Sequence, residues 1–173
     1  MKQGLVHIYC GDGKGKTTAS LGLTLRAAGS GMSVVYVQFF KDGKSAEFNM
    51  LSRVDNVILL PPGKTFGFSW TLNEEEKQEA AAFYTSHFHR AAELARLSDL
   101  LVLDEIVGAC STGFVPEQEV LQFLKTKPAG LEVVLTGRDP SPALLEAADY
   151  VTEMKKIKHP FDRKIPARKG IEF

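Results

Sequence analysis

Cysteine, tryptophan and surplus charge of either sign are what this sequence has least of. Its two cysteines, Cys10 and Cys110, lack the CxxC or Cys/His spacing of a zinc site and are too few for a disulfide framework. A reduced, cytoplasmic compartment is expected. Lys+Arg and Asp+Glu both number 21, so the formal charge is zero. Proteins that hold nucleic acid by neutralising many phosphates need accumulated base, so no nucleic-acid partner is expected and small-molecule chemistry moves forward. Long apolar runs are missing too: Val34 to Phe40 and Leu100 to Leu103 fall far short of the ~20 residues of a membrane helix. Met1-Lys2-Gln3-Gly4 runs straight into a strand-like segment ending at Cys10, with too few apolar residues for a signal-peptide core. The reading is an unprocessed chain with no membrane partner.

What is present suffices for a core: 44% of the 173 residues are apolar, enough for one folded domain spanning residues 1–173. No repeat, low-complexity tract or linker divides it. Short β-branched and aliphatic runs recur at Leu5 to Tyr9, Val34 to Phe40, Val57 to Leu60, Leu100 to Leu103, Val133 to Leu135 and Tyr150 to Thr152, each reading as a strand buried on both faces. Helical patterns lie between most of them, at Lys16 to Ala28, Glu74 to Arg96, Pro116 to Lys125 and Pro142 to Ala148. Such alternation predicts a mostly parallel sheet covered by helices. Asn73 can cap the second of these helices while Glu76 reaches back, and Glu74 and Glu75 suit its positive end. Pro61-Pro62-Gly63 and Gly67 make the preceding segment a loop.

Directly after the first strand comes Cys10-Gly11-Asp12-Gly13-Lys14-Gly15-Lys16-Thr17-Thr18, followed by a helix. That strand-loop-helix context is what a phosphate-binding P-loop requires. Glycines let consecutive backbone N–H groups turn toward phosphate oxygens, the helix N-terminus adds positive potential, Lys16 supplies a point charge and Thr17 can offer its hydroxyl to Mg²⁺. The usual signature has Gly where this chain has Cys10, and the Gly11, Gly13, Gly15 spacing compensates in part. The fold class expected is α/β, a P-loop NTPase-like (RecA-like), mostly parallel sheet of about six strands with helices on both faces.

Further candidates stand at the C-terminal ends of later strands, where such sheets bind ligands. Asp104 and Glu105 close the fourth strand at the Walker-B position; they can hold Mg²⁺, Glu105 being preferred, or merely cap the next turn. Thr136-Gly137-Arg138 ends the next strand, so Arg138 can point at phosphate or pair with Asp139 on the surface. Arg26, on the helix after the P-loop, can contact nucleotide from the side or decorate a solvated face. Cys110 reads as a small residue in a loop. In Phe66-Gly67-Phe68-Ser69-Trp70, two large aromatics and the sole Trp lie outside any strand or helix period, either filling core or serving a site. On residues alone, a kinase or NTPase of unknown substrate, or a non-catalytic nucleotide-binding regulator, remains an alternative.

In order and spacing these elements resemble the ATP:corrinoid adenosyltransferases of the cobalamin pathway, in the branch built on a P-loop fold. The likeness covers nearly the whole chain. It runs through Gly11 to Thr18, Val37-Gln38-Phe39-Phe40-Lys41, Gly67-Phe68-Ser69-Trp70, Val102-Leu103-Asp104-Glu105, Thr136-Gly137-Arg138, Lys158-His159-Pro160-Phe161-Asp162 and Lys169-Gly170-Ile171-Glu172-Phe173. The resemblance implies attack by Co(I) of a reduced corrinoid on the ribose 5′ carbon of ATP, which is held reversed along the P-loop. Adenosylcorrinoid and triphosphate result. It implies ATP binding by Gly11, Asp12, Gly13, Lys14, Gly15, Lys16, Thr17, Thr18, Arg26 and Arg138, and a metal, Mg²⁺ or Mn²⁺, on Thr17 and Glu105. Catalysis falls to Lys16, Phe68 and Trp70, the two aromatics binding the corrinoid and occupying its lower face so that cobalt loses its axial ligand.

The same resemblance implies a homodimer and a flavin-linked reductant protein. His87 and His89, on the Glu74 helix beside the expected corrinoid pocket, are assigned no cobalt role. The basic residues from Lys155 to Lys169 belong to the domain, near phosphate or a dimer partner, rather than to a nucleic-acid patch. Asp12 stands where Asn is frequent in the family and brings a negative charge to the loop. The chain also starts almost at its first strand, so closure over the corrinoid is expected to be looser or supplied by a second subunit.

Overall fold

A computed structural model of the chain describes residues 3–41, 46–61 and 63–172. Met1, Lys2, Pro62 and Phe173, which entered the readings above, lie outside the described residues. The six expected strands are present as β1 (Val6–Cys10), β2 (Val34–Gln38), β3 (Val57–Leu60), β4 (Leu100–Asp104), β5 (Glu132–Thr136) and β6 (Tyr150–Glu153). All pair in parallel, in the order β3-β2-β4-β5-β1-β6. Every strand's C-terminal end therefore lies on one edge, the ligand edge of a parallel α/β sheet.

The helices are α1 (Lys16–Gly29), α2 (Ala46–Leu51), α3 (Glu74–Leu94), α4 (Ile106–Ser111), α5 (Glu117–Thr126) and α6 (Pro142–Glu146). Because side chains alternate across a strand, the sheet feeds two cores. Ile8, Val35, Val37, Leu101, Leu103, Val133 and Leu135 meet α3, α4, α5 and α6 on one face. On the other, Val34, Tyr36, Leu100, Val102 and Val134 meet Ala27 and Ala28 of α1 and Phe48 and Leu51 of α2. Such burial removes apolar surface worth ~25 cal/mol per Å² from water.

The Asn73 capping box forms as expected: Asn73 Oδ1 accepts from the Glu76 N–H at 2.9 Å, and Glu76 Oε2 accepts from the Asn73 N–H at 2.9 Å. Several expectations are corrected. The strand β6 is exposed at all four residues, because it is an edge strand paired only with β1. The strand β2 stops at Gln38, two residues before the end of its apolar run, because Phe40 adopts a left-handed backbone with φ 60°. Cys110 sits not in a loop but in α4, a six-residue helix too short to show periodicity; burial pushes its thiol up to about 12. The helix α2 is equally short and likewise goes unread in the sequence.

Candidate active site

The loop between β1 and α1 is shaped by two glycines with positive φ, Gly11 at 98° and Gly15 at 123°, a region L side chains rarely enter. Gly13 is needed for space: a Cβ there would stand 2.5 Å from the Met154 carbonyl oxygen, which accepts from the Gly13 N–H at 2.6 Å. Cys10 needs no glycine freedom, being the buried last residue of β1. That is why the departure from the usual signature is tolerated. Lys16 Nζ donates to the carbonyls of Gly11 and Gly13 at 2.7 and 2.9 Å, holding the loop curved around its own ammonium. Asp12 turns one oxygen to the Lys156 N–H at 2.9 Å, and that bond is the first cause holding its carboxyl below the usual range.

Above the loop lies a cavity of about 630 Å³. Its walls include Asp12, Gly13, Lys14, Gly15, Lys16, Thr17 and Thr18, together with Glu105 and Arg138 from the ends of β4 and β5. Gly11 contributes a carbonyl to Lys16 without lining the cavity. Arg26 is not brought here: it is exposed on α1, ten residues and roughly 15 Å of helix beyond Lys16. Sequence reasoning assigned no role to Lys41 or Glu47, nor to His159, Ala167, Gly170, Ile171 and Glu172, all of which line the same cavity. For Lys41 the signal was its place just past an apolar strand run; for the C-terminal wall it was the resemblance, which put the basic tail near phosphate or a dimer partner, and His159, Ala167 and Gly170 to Glu172 do stand over the loop. Glu172 is clasped by Arg168, whose N–H, Nε and NH2 donate at 2.8, 3.2 and 2.9 Å, which lowers its carboxyl to about 2.

Asp104 is the hub of the floor. It is fully buried, and its Oδ1 accepts from Thr136 Oγ1 at 2.7 Å and Thr17 Oγ1 at 3.0 Å, while Oδ2 accepts from Lys41 Nζ at 2.7 Å and Gln38 Nε2 at 3.4 Å. Glu105 follows in a left-handed backbone with φ 67°; burial first, then Asp104, raises its carboxyl above the usual range. Phe40 at φ 60° and Asp139 at φ 48° repeat this strain just past the ends of β2 and β5. Side chains in such conformations cost about 1–3 kcal/mol each and gather at functional sites.

A second cavity, of about 400 Å³, is bounded by Phe40, Phe66, Gly67, Phe68, Ser69, Trp70, Thr112 and Phe114. Phe66 packs inward against Phe83 and Tyr84. Phe68 and Trp70 do not: they are 68% and 77% exposed and stack on each other, 4.6 Å between centroids and 7° from parallel. They present a flat apolar surface at the edge of this cavity. His87, on the neighbouring α3, is buried with Nε2 donating to the Gln38 carbonyl at 3.2 Å, whereas His89 is exposed and hydrogen-bonded to Glu119.

Residues 2–173 match the family described as ATP:corrinoid adenosyltransferase BtuR/CobO/CobP. The chain belongs to this family. A corrinoid adenosyltransferase of Pseudomonas aeruginosa is 36% identical over 99% of this chain and 85% of its own length. Corrinoid adenosyltransferase CobA of Salmonella typhimurium is 33% identical over 99% and 87%. Among solved structures, a KaiC-like protein of Pyrococcus horikoshii has a TM-score of 0.52 at 13% identity, covering 90% of this chain and 75% of that one. An EccC fragment, ATPases 2 and 3, of Thermomonospora curvata has a TM-score of 0.54 at 14% identity, covering 95% and 34%. These two likenesses concern the fold alone, a RecA-like P-loop sheet. No described helix is long and apolar enough to cross a membrane.

Proposed function

We propose that the loop cavity holds ATP and the ring-lined cavity the corrinoid, residues 1–173 acting as one adenosyltransferase domain. The family's reaction is ATP:corrinoid adenosyl transfer, and this chain catalyses it. Co(I) of the reduced corrinoid attacks the ribose 5′ carbon, the Co–C bond forms, the C5′–O bond breaks, and its electron pair leaves with inorganic triphosphate. No general base is required. Negative charge grows on the leaving group, and the residues Gly11 to Thr18, Lys16 above all, with Arg138, stabilise it. The observation that carries this reading is the adjacency of the cavities: consecutive residues, Phe40 and Lys41, stand in the walls of the apolar and the phosphate cavity.

Mg²⁺ or Mn²⁺ fits the donors present, since Thr17, Asp104 and Glu105 offer only hard oxygens and such ions favour one or two carboxylates plus phosphates. Among the described residues no three His, Cys, Asp or Glu side chains form a metal cluster, so the ion would draw the rest of its shell from the nucleotide. Thr17 and Glu105 would hold it, and when bound it supplies Lewis-acid charge to the departing triphosphate. Phe68 and Trp70 bind the corrinoid and, as non-coordinating rings, keep axial ligands from cobalt, which favours Co(I). The reading includes a cytoplasmic homodimer served by a flavin-linked reductant protein. What supports the dimer is the exposed edge strand β6, with Tyr150 and Val151 half in solvent.

The test is anaerobic: protein, MgATP and chemically generated cob(I)alamin are mixed and the corrinoid spectrum followed. Light-sensitive adenosylcobalamin with one triphosphate released per product is expected. Phe68→Ala and Trp70→Ala should slow product formation by tenfold or more, on the order of 1.4 kcal/mol or greater, with ATP affinity unchanged. Phosphate release without corrinoid, or equal loss of ATP binding in the aromatic variants, overturns the assignment.

A further inference from the structure

A carboxylate buried as completely as Asp104 has to be neutralised or it is strongly disfavoured. Three of its hydrogen-bond donors, Thr17, Thr136 and Gln38, are neutral. Lys41 is the cation, its Nζ 2.7 Å from Asp104 Oδ2. The same ammonium is 3.2 Å from Thr17 Oγ1, and its side chain is 29% exposed in the wall of the loop cavity. It thus engages one hydroxyl and one carboxylate that a divalent ion arriving with a triphosphate would seek. The left-handed turn at Phe40 sends the next side chain into this position, while the Phe40 ring stays against Tyr84 and Phe114.

We infer that Lys41 is an exchangeable counter-ion of the nucleotide site, an inference that rests on reading the loop cavity as the ATP site. Without a divalent ion it neutralises Asp104 and adds positive charge for the phosphates. When an ion held by Thr17 and Glu105 brings its own positive charge beside Asp104, Lys41 is released to the triphosphate alone. Two effects of opposite sign follow for Lys41→Met. Removing the ammonium leaves Asp104 to attract free metal, so Mn²⁺ binding without nucleotide should tighten, by about tenfold. Metal-free ATP should bind more weakly, also by about tenfold, the scale of a lost charge-assisted hydrogen bond.

Mn²⁺ affinity is read by electron paramagnetic resonance of the free ion, and ATP affinity by calorimetry with EDTA and with Mg²⁺. Lys41→Arg keeps the charge and should stay near wild type in both. Should Lys41→Met prove unstable, Lys41→Met/Asp104→Asn removes the buried charge as well; it should show the weakened metal-free ATP binding without the Mn²⁺ gain. Metal-free ATP binding unchanged in the Met variants, or Mn²⁺ affinity not raised in a folded single variant, overturns the exchange. A wild-type protein that binds no ATP under either condition overturns instead the reading of the cavity.

Discussion

At the residue scale, the site depends on places where a side chain cannot be added. Gly137 has φ 148° and a Cβ there would lie 2.6 Å from the Val107 Cβ. The left-handed backbone and the packing fault act together, so Gly137→Ala should destabilise the fold by at least about 2 kcal/mol. Urea unfolding measures this, and a midpoint equal to wild type would show that α4 shifts at little cost. Arg138, the next residue, would then lose its place in the cavity wall. Trp70 is the opposite case: so exposed a ring contributes little packing, and Trp70→Ala should alter stability by no more than about 0.5 kcal/mol.

At the element scale, α3 is docked through a titrating group. Burial first, assisted by the Arg90 charge and opposed by the Gln38 carbonyl, lowers the His87 pKa from 6.5. The unfolded chain therefore takes up a proton at His87 before the folded one does. Stability contributed by neutral His87 is present above the unfolded value and is lost as pH falls through 6.5 and below. His87→Gln should flatten this part of the stability–pH curve, measured by denaturant unfolding at closely spaced pH values. Parallel wild-type and variant curves would mean that His87 stays neutral in both states or charges equally. Acid loosening of α3 would reach the rings, since Phe83 stacks on His87 and touches Phe66.

For the whole molecule, the exposed edge is the open question that assembly answers. Unpaired strand edges attract other chains unless covered, and β6 carries Tyr150 and Val151 there, with Ile157 and Phe161 exposed in the segment that follows. Light scattering should give a particle of about twice 19.0 kDa, and Val151→Lys should move it toward monomer. A monomer at every concentration would remove the homodimer from the reading. The Arg168–Glu172 clasp should persist at neutral pH: a carboxyl lowered from 4.5 to about 2 confers its stabilisation in full above the ordinary carboxylate range and loses it progressively as pH falls from there through the low value.

Local signals determined a good deal of this protein. Strand runs, the glycine spacing of the loop, the Asn73 cap and the place of Asp104 and Glu105 after an apolar run are short-range features, and each carries its physical reason within a few residues. The family itself was named by resemblance, through motifs that run from Gly11–Thr18 to the C-terminal segment. Tertiary structure decided what depends on distant segments meeting. Phe40 and Lys41 part into two cavities because a left-handed turn ends β2 early, and Asp104 becomes a hub because Thr17, Lys41 and Thr136 converge from three other segments. The helices α2 and α4 were too short to announce themselves, and β6 reads as a buried strand until its place at the sheet edge is known. The C-terminal wall of the loop cavity is long-range in the same sense: Met154, Lys156 and Glu172 reach the loop because β6 lies beside β1, a neighbour that the sheet order decides.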